Sequence, residues 1–376
     1  MREPVDRRRQ RILAVVRARG AARVTDLAAE LRVSVVTVRR DVEELARGGK
    51  LVRGHGVARS VVPVQRAAVP AHRTLDGHTV GLVVPERHSY LSETLHGSRT
   101  VLEAAGMRMS LHIAPQAAGA ERPMVEDALA AGASGVLIAP RWRSAASEEA
   151  DYGWLAELGV PTVLMERRPR PGSLLHPLDS VCSDHWYGVH LALDHLVSFG
   201  HRRIVLAARN DSPTARAVRA AFAEIASGHP AIEDWSVALS SPDAAADLSL
   251  SPQAPLDLAA LLRERRASAV LLHGDVDALI HVQRLVGAGV RVPEDCSVVA
   301  YDDVVAALGS IPLTAVAPPK TRVGAVAAEL LLQRLGAASG GPDAGSPEGP
   351  AAEPVRRVEL LPSLMVRGSA GPVPAA

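Results

Sequence analysis

The segment Ser34-Val35-Val36-Thr37-Val38-Arg39-Arg40-Asp41-Val42 alternates two kinds of chemistry. Projected as a helix at about 100° per residue, Val35, Val38, Val42 and Leu45 fall on one side, and Val36, Thr37, Arg40 and Glu44 on the other, with Arg39 on the flank. The apolar seam must pack on partner elements, which turns a Thr/Arg face outward. An Arg fork matches the acceptor pair of guanine, and Thr suits a phosphate or a thymine methyl, so this face fits the major groove of duplex DNA. Ser34 is placed as the N-cap, Gly48-Gly49 stops the helix, and Asp41 projects towards the packed side.

The neighbouring elements fit that role. Ile12, Leu13, Val15 and Val16 set a helical period over Arg7–Arg19, ended by Gly20. A second helix is expected over Val24–Leu31, with Arg32-Val33 as a tight turn before the third. Lys50-Leu51-Val52-Arg53 and Val57-Ala58-Arg59 pair as a hairpin around Gly54-His55-Gly56, a wing whose Arg53 and His55 reach backbone or minor groove. Charge agrees. Residues 1–60 hold 15 Lys and Arg against 7 Asp and Glu, while the whole chain is only +1, so a basic head sits on an acidic body. The alternative is a winged helix that binds protein.

The head resembles the DeoR family of bacterial repressors. The resemblance rests on Arg8-Arg9-Gln10-Arg11-Ile12-Leu13, Val24-Thr25-Asp26-Leu27-Ala28, Ser34 through Val42, and Leu51-Val52-Arg53-Gly54-His55-Gly56-Val57-Ala58. It implies DNA contacts by Ser34, Thr37, Arg39 and Arg40, to which the outward projection adds Val36.

Beyond an extended linker at 60–77, strand and helix signals alternate. Continuous apolar strands are expected at Thr79–Pro85, Arg108–Ala114, Gly135–Pro140, Pro161–Glu166 and Val181–Asp184, and again at Arg203–Ala208, Val237–Ser240, Ala269–His273 and Ser297–Tyr301. Helices fall between them. Such runs mean parallel sheets covered on both faces, and two series mean two doubly wound α/β lobes. Ligands of such sheets sit beyond the carboxyl ends of the strands.

The body resembles the sensor domain of the LacI family, a periplasmic-binding-protein-like fold. The quoted pieces are Val160–Arg167, Asp184 through His195-Leu196-Val197-Ser198-Phe199-Gly200-His201, and Val292-Pro293-Glu294-Asp295-Cys296-Ser297-Val298-Val299-Ala300-Tyr301-Asp302-Asp303. The resemblance implies three crossings between lobes, with lobe one at 78–201 and 312–336 and lobe two at 202–311 and 355–369. The Gly/Ala/Ser/Pro-rich stretch 336–354 is expected as a disordered insertion, and 370–376 as a tail.

Sugar pockets combine polar forks for hydroxyls with an aromatic that stacks on the ring. Aromatics are 3% of this chain, so each one near a strand's carboxyl end counts. By family position the ligand candidates are Tyr90, Arg167, Asp184, Asp275 and Asp302, joined by Trp142, His185 and Trp186. The alternative for each aspartate is a helix cap or a loop carboxylate. Where the family often has Arg this chain has Val218, with Arg216 or Arg219 as the substitute, and Gly274 stands where Asn is frequent.

Catalysis finds no motif. There is no Gly-x-Ser-x-Gly elbow and no phosphate-binding Gly-Lys loop, and His190 and His195 are five apart rather than four. Two cysteines make neither a disulfide framework nor a zinc site, and no cofactor is expected. The charged N-terminus lacks a signal-peptide core, and no apolar run is long enough to span a membrane, so a cytoplasmic protein is expected. The combined expectation is a homodimeric regulator that binds double-stranded operator DNA, a repressor, whose affinity responds to a carbohydrate-like small molecule in the cleft. The alternatives are a solute-binding protein with a basic arm and a ligand-independent DNA-binding activator.

Overall fold

The computed structural model describes residues 5, 8–9, 11–13, 16, 21–31, 33–47, 51–54, 57–60, 77–86, 89–115, 117–142, 144–210, 212–240, 256–339 and 354–373. The chain divides into two units, Met1–His72 and Arg73–Ala376.

The first unit runs β1 (Ala21–Arg23), α1 (Val24–Leu31), α2 (Val35–Arg47), β2 (Leu51–Gly54) and β3 (Val57–Ser60). The expected wing forms, with Leu51 opposite Ser60 and Gly54 opposite Val57. β1 joins it on the far side of β3, giving the order β1-β3-β2. No period announces β1, because Ala-Ala-Arg is too short to show one. The described residues of the expected first helix, Arg8, Arg9, 11–13 and Val16 among them, are helical. Ile12, Val16, Leu27, Leu31, Val38, Val42 and Leu45 close one small core. Val35 departs from the expected seam, being 38% exposed. Val33 packs against the core instead, drawn in by the bond from its N–H to Ala28 O (3.1 Å), and this leaves the first helical residue outside.

The second unit contains two sheets of six strands. In chain order its elements are β4 (Thr79–Pro85), α3 (Ser89–Ala104), β5 (Arg108–Ala114), α4 (Glu121–Ala130), β6 (Ala133–Ile138), α5 (Ala145–Tyr152), β7 (Thr162–Met165) and β8 (Asp179–Ser183). They continue as α6 (His185–Ser198), β9 (Arg203–Ala208), α7 (Pro213–Gly228), β10 (Asp234–Leu239), α8 (Leu258–Arg265), β11 (Ala269–Leu272), α9 (Asp275–Gly287) and β12 (Ser297–Tyr301). β13 (Thr314–Ala317), α10 (Lys320–Ser339), β14 (Arg357–Leu360) and β15 (Ser363–Met365) end the chain. The lobe-one sheet has the order β14-β8-β7-β6-β4-β5 and the lobe-two sheet β10-β9-β11-β12-β13-β15. All pairings are parallel except β13 with β15. The central strands are buried along their length, β4 from Val80 onward, as continuous apolar runs require.

The expected lobe boundaries need correction. The expected bounds put α6 in lobe one, yet its Val189, Leu193 and Leu196 pack with Ile204, Leu206 and Phe222 of lobe two. They also put β13 in lobe one and β14 in lobe two, but β13 hydrogen-bonds to β12 and β14 to β8. The chain therefore crosses between β8 and α6, between β13 and α10, and between β14 and β15. The reason is physical. The local pattern of each of these segments fits either sheet, and only tertiary pairing decides its side.

α10 extends through Ser339, past the expected start of the insertion at 336, while 340–353 and the linker residues 61–76 lie outside the described residues. α10 crosses α3 very closely. A Cβ on Gly97 would overlap the Thr321 carbonyl, and one on Gly324 would overlap that of Thr94. Ser98 Oγ donates into this crossing, 3.0 Å from Gly324 O. Among the described residues, no helix is long and apolar enough to cross a membrane.

Candidate functional site

On α2, Ser34 Oγ accepts from Thr37 N–H (3.2 Å) and lies 2.8 Å from Thr37 Oγ1, which caps the helix. Val36 is 73% exposed, Arg39 and Arg40 are exposed, and Thr37 is half-buried. Val38, Val42 and Leu45 face the core. Asp41 is buried, and its two oxygens accept from Arg8 Nε (2.6 Å) and Arg9 Nε (3.0 Å), which ties the N-terminal helical residues to α2. The result is an outward face of Val36, Thr37, Arg39 and Arg40 with two cations and no carboxylate at its N-terminal end. The side chain of Arg53 and the whole of His55 lie outside the described residues.

In the second unit the carboxyl ends of the two sheets face each other. Contacts among the described residues span them. Arg216 Nη2, from α7 of lobe two, donates to Trp142 O of lobe one (3.3 Å). Lys320 Nζ, at the start of α10, donates to Asp302 O at the end of β12.

Asp302 is the distinctive group here. It follows β12 with φ 101°, and Asp303 after it has φ 46°, two successive side-chain-bearing residues in the left-handed region. Its Oδ1 is buried and has no hydrogen-bond partner among the described residues. Burial raises the carboxyl to about 7, with Asp275 adding to the rise and Lys320 opposing it. Such an orphaned acceptor is costly unless a ligand donor completes it.

The other candidates divide. Asp275 is taken up by the fold, because its buried Oδ2 accepts from the N–H groups of Val304, Val305 and Ala306 and so holds the loop after Asp302. Asp184 caps α6 through Tyr187 N–H (2.9 Å). For both aspartates the structure takes the capping alternative. Trp142 is 3% exposed and packs edge-on against Tyr152 in the lobe-one core, so its side chain does not line the cleft. His185 is buried against Tyr301, Nδ1 to phenol oxygen 3.0 Å, and burial lowers the pKa of its imidazole. Trp186 Nε1 donates to Glu224 (3.1 Å). Arg167 is buried and donates to Pro140 O and Glu166 O. Burial lowers the pKa of Arg216, with Glu148 opposing. The side chain of Tyr90 lies outside the described residues.

Sequence reasoning passed over Glu166 and Lys320. Glu166, buried at φ 53°, binds Ser183 N–H (3.1 Å) and Oγ (3.0 Å) and so joins the ends of β7 and β8. Lys320 is 3% exposed. Its only signal is its place after Pro318-Pro319, which marks a helix start and nothing more. Among the described residues no cluster of His, Cys, Asp and Glu is set to hold a metal.

Comparisons agree with this division. Residues 8–64 match the DeoR-like helix-turn-helix domain, and residues 193–370 match the periplasmic binding protein-like domain. The arabinose metabolism transcriptional repressor of Geobacillus stearothermophilus is 24% identical over 319 residues, 82% of this chain and 83% of that protein. The HTH-type transcriptional repressor PurR of Aliivibrio fischeri is 30% identical over 180 residues, 47% of this chain, and the chain spans about half (51%) of its length. A LacI transcriptional regulator from a Rhodococcus species has a similar fold, with a TM-score of 0.60 at 21% identity, covering 79% of this chain and 100% of that one.

Proposed function

We propose that this chain, which joins a DeoR-like helix-turn-helix to a fold like that of LacI-type regulators, is a transcriptional repressor whose operator affinity is set by a small molecule bound between the lobes. The observation that carries the reading is Asp302, whose buried acceptor lacks a partner where the two sheets meet, in a chain that also presents an exposed Thr/Arg helix face. A carboxylate that accepts from a neutral polyol is the chemistry of carbohydrate capture, and a similar protein is named for arabinose metabolism.

The proposed roles follow the geometry. Val36, Thr37, Arg39 and Arg40 contact the major groove, Ser34 holds the start of the helix, and Arg53 and His55 belong to the wing. Asp302 binds effector hydroxyls. Arg167, Asp184, His185 and Asp275 shape the site, Arg216 closes one side, and Tyr90 stands at the end of β4. One winged helix covers a half-site, so a homodimer on a two-fold operator is the matching assembly. Effector binding shifts the lobes between two arrangements, and it changes DNA affinity to the extent that it prefers one of them.

The test is titration of the full chain onto labelled DNA from upstream of its own gene, at fixed salt, with and without a panel of sugars. Specific binding released by one sugar, with the response lost in Asp302→Asn while DNA binding is kept, supports the reading. Specific binding that no sugar alters overturns the effector assignment, and binding with no sequence preference overturns the repressor.

A further inference from the structure

We propose that Lys320 is a positioning residue for the effector site, fixing Asp302 in its left-handed conformation and tying the carboxyl that meets the effector to the chain crossing into lobe one. This deepens the sensor reading and rests on it for the word effector.

The loop that follows β12 is clamped from three directions. Asp275, from α9, takes the N–H groups of Val304, Val305 and Ala306. Arg367, just beyond β15, grips Asp303 with both Nη atoms (2.6 and 3.0 Å) and also donates to Leu313 O (2.7 Å). Lys320 supplies the third grip, on the Asp302 carbonyl. The first two anchors belong to lobe two. Lys320 differs because it is the first residue of α10, whose Val323, Ala327 and Leu331 pack in lobe one. Its ammonium also stands 3.9 Å from Glu93 of α3. A movement of one lobe against the other therefore pulls on the peptide that sets the Asp302 side chain.

A buried ammonium needs a reason. Lysine is among the residues least often buried, and it is stable there only when partnered. A second backbone cap would serve the turn at 302–303 as well as Lys320 does, but it would take away the leading charge that compensates the carboxyl. Among the described residues, the charged groups that face Asp302 are Asp275 from α9, Glu166 from the end of β7, Arg209 from the end of β9 and Lys320 from α10. Two are acids that oppose its ionisation, and Lys320 leads Arg209 among the cations that favour it.

The consequence is readable without any effector. The folded carboxyl binds a proton at about 7, whereas in the unfolded chain it does so near 4, so this aspartate makes the thermal midpoint fall as pH rises between those values and level off above. The experiment measures the midpoint from pH 5 to 9 for the full chain, for Lys320→Met, for Asp302→Asn and for the double variant. Subtracting the Asp302→Asn background removes the histidines and other groups that titrate in the same range. Loss of Lys320 should carry the fall at least one pH unit higher, a tenfold tighter hold on the proton, and this displacement should vanish in the Asp302→Asn background. Lys320→Arg should keep the parent profile. A midpoint lowered equally at every pH by Lys320→Met, with Asp302 present, overturns the proposal and leaves Lys320 a packing residue. If Lys320→Met shows no cooperative transition, Lys320→Gln carries the same comparison. Because no sugar or DNA is added, this result and the sensor reading can each fail while the other stands.

Discussion

Asp275 and Asp302 are the same residue type at the ends of adjacent strands, and the lobe uses them in opposite ways. Asp275 accepts from three backbone N–H groups, whereas Asp302 keeps a buried oxygen with none. A hydroxyl-bearing effector needs an ionised acceptor at Asp302. With the folded carboxyl at about 7, effector affinity should be full above that pH and should drop about tenfold per unit below it, measured by calorimetry with the sugar that releases DNA. On the DNA side, Arg40 is exposed on a capped helix, and Arg40→Ala should weaken operator binding by about 1–3 kcal/mol if it reads a base. Unchanged affinity in a fixed-salt titration would remove it from the reading face. The residue types at the strand ends were legible in the sequence, but their division of labour was not. Whether an aspartate caps a loop or faces a cleft depends on where remote N–H groups lie, and those of 304–306 are brought to Asp275 only by the fold.

Elements were the most legible level, because their signals are local. The strands at Arg108–Ala114, Arg203–Ala208 and Ser297–Tyr301 begin and end where the apolar runs do. What stayed hidden was which sheet each element joins, as with α6, β13 and β14, since their local patterns fit either lobe. The α3–α10 crossing was hidden for a related reason. Gly97 and Gly324 matter only as a pair, and they are far apart in the chain. Adding a methyl at Gly97 must push backbone from backbone, so Gly97→Ala should lower stability by about 3 kcal/mol or more in urea unfolding. In the first unit, Asp41→Ala would leave two mostly buried arginines without their shared carboxylate. A loss of about 3 kcal/mol is expected there, read from hydrogen exchange on α2, with operator affinity falling alongside. Full protection of α2 in that variant would show that the ion pairs are dispensable.

As a whole molecule, the chain places a basic 60-residue head ahead of a body with net negative charge. Specific binding by the head should fall steeply with salt, and the half-site argument requires two heads per operator. Sedimentation equilibrium should give twice the chain mass of 39.5 kDa at the concentrations where DNA is bound. A monomer at those concentrations would contradict the proposed assembly. The order of the chain also has a consequence in time. One short stretch supplies β14 to the first sheet and β15 to the second, so neither sheet is complete until residues 357–365 have left the ribosome. The core of the head, by contrast, draws only on residues from Ile12 to Leu51, all made before the first strand of either lobe. On the proposed function the DNA-binding head is therefore synthesised before the part that would silence it, and a message cut short yields a head with no sensor rather than a sensor with a defect.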